Sequence, residues 1–271
     1  MTVVAISTAM RVAPCMLSLI LACSVLFAQT LELPPPSTPP LVAVRNLLAQ
    51  GHSWDAIRAL RRQPPTPETR LWLGLAYFMA HQYKLFEKEM TEAARSLPDS
   101  PFPPYALGRY ALDVLQDAGR ARLSFEEALR RSPSYAPALY HLGWCHELAA
   151  DTPRALELYR RAHGYWLAHL GIARIALARE DFPTARRHAE LALSLRSDAA
   201  MVHLLYARIL ERIGDLSAAL QQFERAAALD PTDSSALYQA IRCARRLNQP
   251  DHAAALLARY RAVVAIYGVS R

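Results

Sequence analysis

Lysine is almost missing from this 271-residue chain: it occurs only at Lys84 and Lys88, so arginine supplies nearly all of the positive charge behind a formal +7. Glycine is scarce as well, with nine residues in all, and none of them builds a phosphate-cradling loop. No nucleophile stands beside a base in a recognisable arrangement. His146-Glu147 begins like a zinc-protease helix, but Ala150 occupies the place of the required second histidine. His141 and Cys145 have a spacing that brings both to one side of a helix, yet His146 is the one further ligand nearby and it points elsewhere, so a packed or solvated histidine is expected. These absences argue against an enzyme and against any cofactor or metal. An excess of positive charge favours acidic partners, whereas no module for nucleic acid is present.

What the chain does have is apolar helical patterning. Hydrophobic residues make up 52% of it, and nineteen prolines fall mostly between the helical stretches. Residues 12–28 form an apolar run preceded by a single charge, Arg11, and ending at Ala28. That order matches a secretory signal. The run falls short of the roughly 20 residues a spanning helix needs. The alternatives are retention as an anchor or lipidation at Cys23 within Ile20-Leu21-Ala22-Cys23. Each of the three places the remainder in the periplasm or otherwise outside the cytoplasm, with membrane contact only through this segment. Residues 29–40 are a proline-rich linker, stiff and extended, and residues 41–66 read as a degenerate capping helix pair turning at Gly51.

Residues 200–233 carry the clearest unit. Met201 to Leu210 has apolar residues at helical spacing. Gly214-Asp215 ends that helix and caps the next. Leu216, Ala219, Leu220, Phe223 and Ala226 mark the buried stripe of a second helix, and Pro231 closes the unit. Ala207, Gly214-Asp215, Ala219, Phe223, Ala226 and Pro231, in a helix pair of this length, resemble the tetratricopeptide repeat family. The same pattern recurs at 67–100, 101–135, 136–165, 166–199 and 234–267. Gly108 and Ala121 stand one residue too far apart, which places an insertion in the turn 116–120. The unit at 136–165 stops early, at Gly164. The resemblance covers most of residues 67–267 and implies an all-α, right-handed α-solenoid of about seven antiparallel helix pairs, forming one extended domain.

In that family the first helices of successive repeats line a concave groove. On this basis Arg174, Arg208 and Arg242, each 34 residues from the next, are expected on one face about 10 Å apart. Arg109 is expected to join them, and Trp144 takes the corresponding place in its repeat. Tyr140 and Tyr238 are expected beside the arginines, with Glu147 and Glu211 as acids able to neutralise some of them. Arginine forks and aromatic rings suit carboxylates, phosphates or sugars. The set resembling the family's chaperone-tail clamp is absent. Cys145 and Cys243 fall three repeats apart and are expected as buried free thiols. The function expected is an exported scaffold that binds a protein or peptide, acidic by charge complementarity, for envelope complex assembly. The alternatives are a polysaccharide-binding module of an envelope export system and a structural self-assembling subunit.

Overall fold

The computed structural model describes residues 34–268; the segment 12–28 and the export expectation built on it lie outside them. Among the described residues there are fourteen α-helices and they run as sequential antiparallel pairs. They are α1 Pro39–Ala49, α2 Ser53–Arg61, α3 Pro67–Met79, α4 Tyr83–Ser96, α5 Phe102–Asp113, α6 Ala118–Arg131 and α7 Ala136–Leu148. There follow α8 Thr152–Arg161, α9 Trp166–Ala178, α10 Phe182–Leu195, α11 Ala200–Ile213, α12 Leu216–Leu229, α13 Ser234–Arg246 and α14 Pro250–Tyr267. No helix among the described residues is long and apolar enough to cross a membrane. The chain divides into two compact units, the first ending at Cys145 and the second beginning at His146.

Local chemistry explains where each pair turns. Seven residues, one per intra-pair turn, take a positive φ: Gly51, His81, Gln116, Ala150, Glu180, Gly214 and Asn248. This left-handed residue reverses the chain after the first helix, and the residue that follows it caps the second. In four of the seven turns that cap is an aspartate. Asp117, Asp151, Asp181 and Asp215 accept from the backbone N–H of Arg120, Arg154, Thr184 and Ala218, at 2.9, 3.3, 3.2 and 3.1 Å. Each bond satisfies a donor that the helix itself cannot. The insertion in the third pair falls between α5 and α6, at residues 114–117. The early stop in the fourth is seen in α8, which ends at Arg161.

In the first unit the core is aromatic. Phe78, Phe86 and Phe125 are fully buried, and Phe86 sets its ring edge-on to Phe78 and Tyr110 with centroids 5.2 and 5.3 Å away. Gly108 exists because Phe125 lies over it: an added Cβ would stand 2.6 Å from the ring. The helices α5 and α6 therefore approach at a point where no side chain fits. The proline linker ends sooner than its composition predicts, since Pro39 already forms the first turn of α1. Proline is tolerated there because that N–H has no helical partner to lose. Just before it, the backbone N–H of Ser37 donates to Glu68 at 3.0 Å and fastens the linker to α3.

In the second unit the core changes character along the chain. Ala173, Ala176, Ala185, Ala189 and Ile209 make an alanine-rich cluster. Beyond it Leu210, Leu220, Phe223, Leu237, Ile241 and Leu256 build a larger one. Cys145 in the first unit and Cys243 in the second are both buried and free.

Candidate interaction surface

Within the first unit, the first-helix residues named from sequence are largely built into the protein. Arg109 is only 4% exposed. Its Nε and Nη2 donate to Asp113 Oδ2 at 2.9 and 2.7 Å, and its Nη1 lies 3.3 Å from the Tyr105 hydroxyl. Burial works against the charge, but Tyr105 and Asp113 outweigh it and hold the guanidinium protonated above its usual range. This arginine is a core strut, not an anion anchor at a surface. The reason is local: α5 is apolar nearly all round, and all its residues from Phe102 to Ala111 except Leu107 are buried, so no flank is left for solvent.

His141 packs against that strut. Its Nδ1–H donates to the Pro137 carbonyl at 2.8 Å, and its ring lies 5.5 and 5.6 Å from those of Tyr105 and Phe125. Burial, and then the nearby Arg109 charge, push its pKa well down, so it is neutral. Burial likewise pushes the Cys145 thiol up to about 12. Of the packed and solvated histidines that the sequence leaves open, the structure holds the packed one. Tyr140 and Trp144 are half-buried on α7.

The second unit presents the arginines differently. On α9, Arg174 forms a two-pronged pair with Glu147, Nε to Oε1 at 3.0 Å and Nη2 to Oε2 at 2.7 Å. The Tyr159 hydroxyl donates to the same carboxylate at 2.8 Å. On α13, Arg242 faces Glu211 at 3.8 Å and donates to Gln239 at 2.9 Å, and Arg246 reaches the same glutamate at 3.0 Å. Between them in sequence, Arg208 on α11 is exposed. It makes no ion pair or hydrogen bond among the described residues. Tyr238 is 51% exposed, with its ring centroid 6.3 Å from that of Tyr260.

The pairing follows a register. Glu211 precedes Arg242 by 31 residues. Glu147 precedes Arg174 by 27, because the intervening repeat is cut short after α8. Each arginine thus meets the acid one repeat back. Counting 31 residues back from Arg208 arrives at Leu177, which is half-buried against the alanine cluster. A leucine stands where its neighbours in the series have a glutamate. The acids Glu147 and Glu211 are visible as partners in the sequence, and the gap at Leu177 is legible only by counting 31 residues back from Arg208.

The tetratricopeptide repeat family model matches residues 105–166, 170–234 and 212–267, more than half of the chain. The chain belongs to the tetratricopeptide repeat family. Among solved structures, that of the APC/C hetero-tetramer Cut9–Hcn1 superposes with a TM-score of 0.67 at 15% identity, over 95% of this chain and 54% of that one. PilF from Pseudomonas aeruginosa gives 0.62 at 17%, over 74% of this chain and 92% of that one. PilW, a type IV pilus biogenesis factor, gives 0.61 at 17%, over 77% and 97%. At such identities the likeness establishes the fold, an all-α solenoid of the tetratricopeptide kind. No curated protein sequence matches the chain.

Tetratricopeptide proteins bind peptides and proteins and are typically not enzymes. Among the described residues no group of three or more His, Cys, Asp or Glu side chains is placed to hold a metal ion.

Proposed function

We propose that this chain is an exported binding scaffold that holds an acidic protein or peptide segment against the first-helix surface of its second unit, in the service of assembly at the cell envelope. The observation that carries the reading is the charge left on that surface. Arg242 and Arg246 share one acid, Glu211, and Arg208 has none among the described residues, so the face formed by α11 and α13 remains positive after its internal pairs are made. Arginine forks recognise carboxylates with two parallel bonds, and exposed Tyr238 adds an apolar face with a polar tip. The envelope setting rests on the leading apolar run, and PilW shows the same fold in a pilus biogenesis factor.

A pull-down from detergent-solubilised envelopes with the tagged full-length chain tests this. The expected result is an envelope protein retained at low salt, released at high salt and lost from the Arg208→Ala/Arg242→Ala variant. Salt weakens contacts between exposed charges, so retention that ignores both salt and the substitutions would overturn the proposal. Recovery of glycan alone would do so too, as would recovery of nothing but the chain itself.

A further inference from the structure

The register identifies one arginine of the series as incomplete. Arg174 and Arg242 stand 34 residues on either side of Arg208 and each meets a glutamate from the preceding repeat. At the corresponding place one repeat back from Arg208 stands Leu177. The scaffold has built the same half-site three times and supplied the matching acid twice. A guanidinium cannot lose its charge at ordinary pH, so the missing acid leaves a full positive charge with an apolar side chain at the foot of its register.

We infer that Arg208 is the specificity-determining residue of the scaffold surface, taking one aspartate or glutamate side chain of the bound partner where the repeat's own glutamate is replaced by Leu177. This rests on the binding-scaffold reading and narrows it to a ligand chemistry. The partner segment carries a carboxylate next to an apolar residue, because Leu177 is only half-buried and Tyr238 is 51% exposed on the next first helix. The flanking pairs sharpen the choice. Arg174 is already held by both oxygens of Glu147, so that place offers a second carboxylate no open fork. A single exposed ion pair contributes little by itself. What it supplies is discrimination between a carboxylate and its uncharged isostere, since the amide neither neutralises nor forks with the guanidinium.

The internal acid can be restored by mutation, which closes the site without removing the arginine. The probe is an array of 12-residue peptides in matched pairs that differ by a single Glu or Gln. Applied as the full-length chain, the wild type is expected to favour the Glu member of apolar-flanked pairs by about 3–10-fold, with the preference falling as salt is raised. Leu177→Glu is expected to abolish that preference by occupying Arg208 from within, and Arg208→Ala by removing the cation. Leu177→Gln loses the same apolar contact but adds no charge, so it should keep the preference and control for folding. Arg225→Ala, an exposed arginine on the second helix α12, should also keep it. Peptide binding with a Glu preference untouched by Leu177→Glu and Arg208→Ala would overturn the assignment of Arg208 and leave the scaffold reading standing. A folded wild type that binds no peptide of the array, and no envelope protein either, would overturn both.

Discussion

The repeats at 166–199 and 200–233 stand in strict 34-residue register, yet they reach the same helix-pair geometry by different means. Gly171 in the first corresponds to Leu205 in the second, and Ala189 to Phe223. The later repeat fills its own interior: Phe223 is fully buried among Leu210, Leu220, Leu237 and Ile241. The earlier one has no large residue at that place, and its alanines close around Ile209, supplied by the next first helix. On its other side the space above Gly171 is taken by the Tyr159 ring, 2.6 Å from where a Cβ would be. The filling side chain comes from a different helix in each repeat, which is the kind of exchange a packed core tolerates. The lesson is that a repeat here is a unit of sequence, whereas the unit of packing is a repeat together with its neighbours.

The comparison breaks most severely where one residue does all the filling. Phe223→Ala is expected to cost about 3–5 kcal/mol, the usual range for emptying a buried aromatic site, read as a lower midpoint in urea unfolding. A loss below about 1 kcal/mol would mean that the later repeat collapses onto an alanine interior like its predecessor's. Gly171→Ala tests the opposite error. The added methyl has to displace the Tyr159 ring, whose hydroxyl is tied to Glu147 at 2.8 Å, so overpacking by about 1–3 kcal/mol is expected. Shortening the ring in the same background, with Tyr159→Leu, should make Gly171→Ala cheaper than it is alone. Strict additivity of the two would contradict the contact.

The turns differ next. Gly214 holds φ at 97°, and its counterpart Glu180 holds it at 59°. Gly214→Ala is therefore expected to destabilise by about 1–2 kcal/mol, since a Cβ is poorly accommodated in this region. Glu180→Gly should come out near neutral: it relieves the backbone but gives up the ion pair to Arg212 at 2.6 Å, worth at most about 1 kcal/mol at an exposed site. Equal losses at the two positions would remove the distinction.

Much of this was legible from residue types alone. Helix pairs, their 34-residue period, the Gly214-Asp215 turn, the insertion before α6 and the early end of α8 all follow from apolar spacing and from turn residues. Five of the seven turns, however, put a left-handed backbone on His81, Gln116, Ala150, Glu180 and Asn248, which share no chemistry that announces it. The aspartate that follows three of them, at 117, 151 and 181, was the available signal. The arginine series was legible as a spacing and illegible as an environment. Spacing alone put Arg109 on the same face as Arg174, but the apolar girdle of α5 buries it, and Asp113 one helical turn on was the clue to its partner. Periodicity fixes direction around a helix; what stands opposite depends on the neighbouring helices.

The smallest expected effect concerns a polar pair that the two repeats share in outline. His169 and His203 each bond through Nε2 to a backbone carbonyl, of His163 at 2.8 Å and Ser197 at 3.0 Å. The Nδ1 of His203 then meets the Gln222 amide at 2.8 Å, whereas that of His169 meets Nδ1 of His188 at 3.0 Å. With His169 donating from Nε2, its Nδ1 is a bare acceptor and His188 must donate. Burial holds the His188 pKa at about 4, helped by His169, Arg187 and Arg160 around it, and burial also lowers that of His169. In the unfolded chain both return to about 6.5. Between pH 6.5 and pH 4 the unfolded chain therefore binds protons that the folded chain refuses, and stability present above pH 6.5 is lost as the pH falls. His188→Gln installs the later repeat's solution in the earlier one and removes one of the two titrating rings. It should leave the midpoint at pH 7.5 nearly unchanged and flatten its decline between pH 7 and 5, a window above most carboxylate titration. Melting curves of wild type and variant that fall in parallel over that window would show that the imidazole pair takes up its protons without cost to the fold.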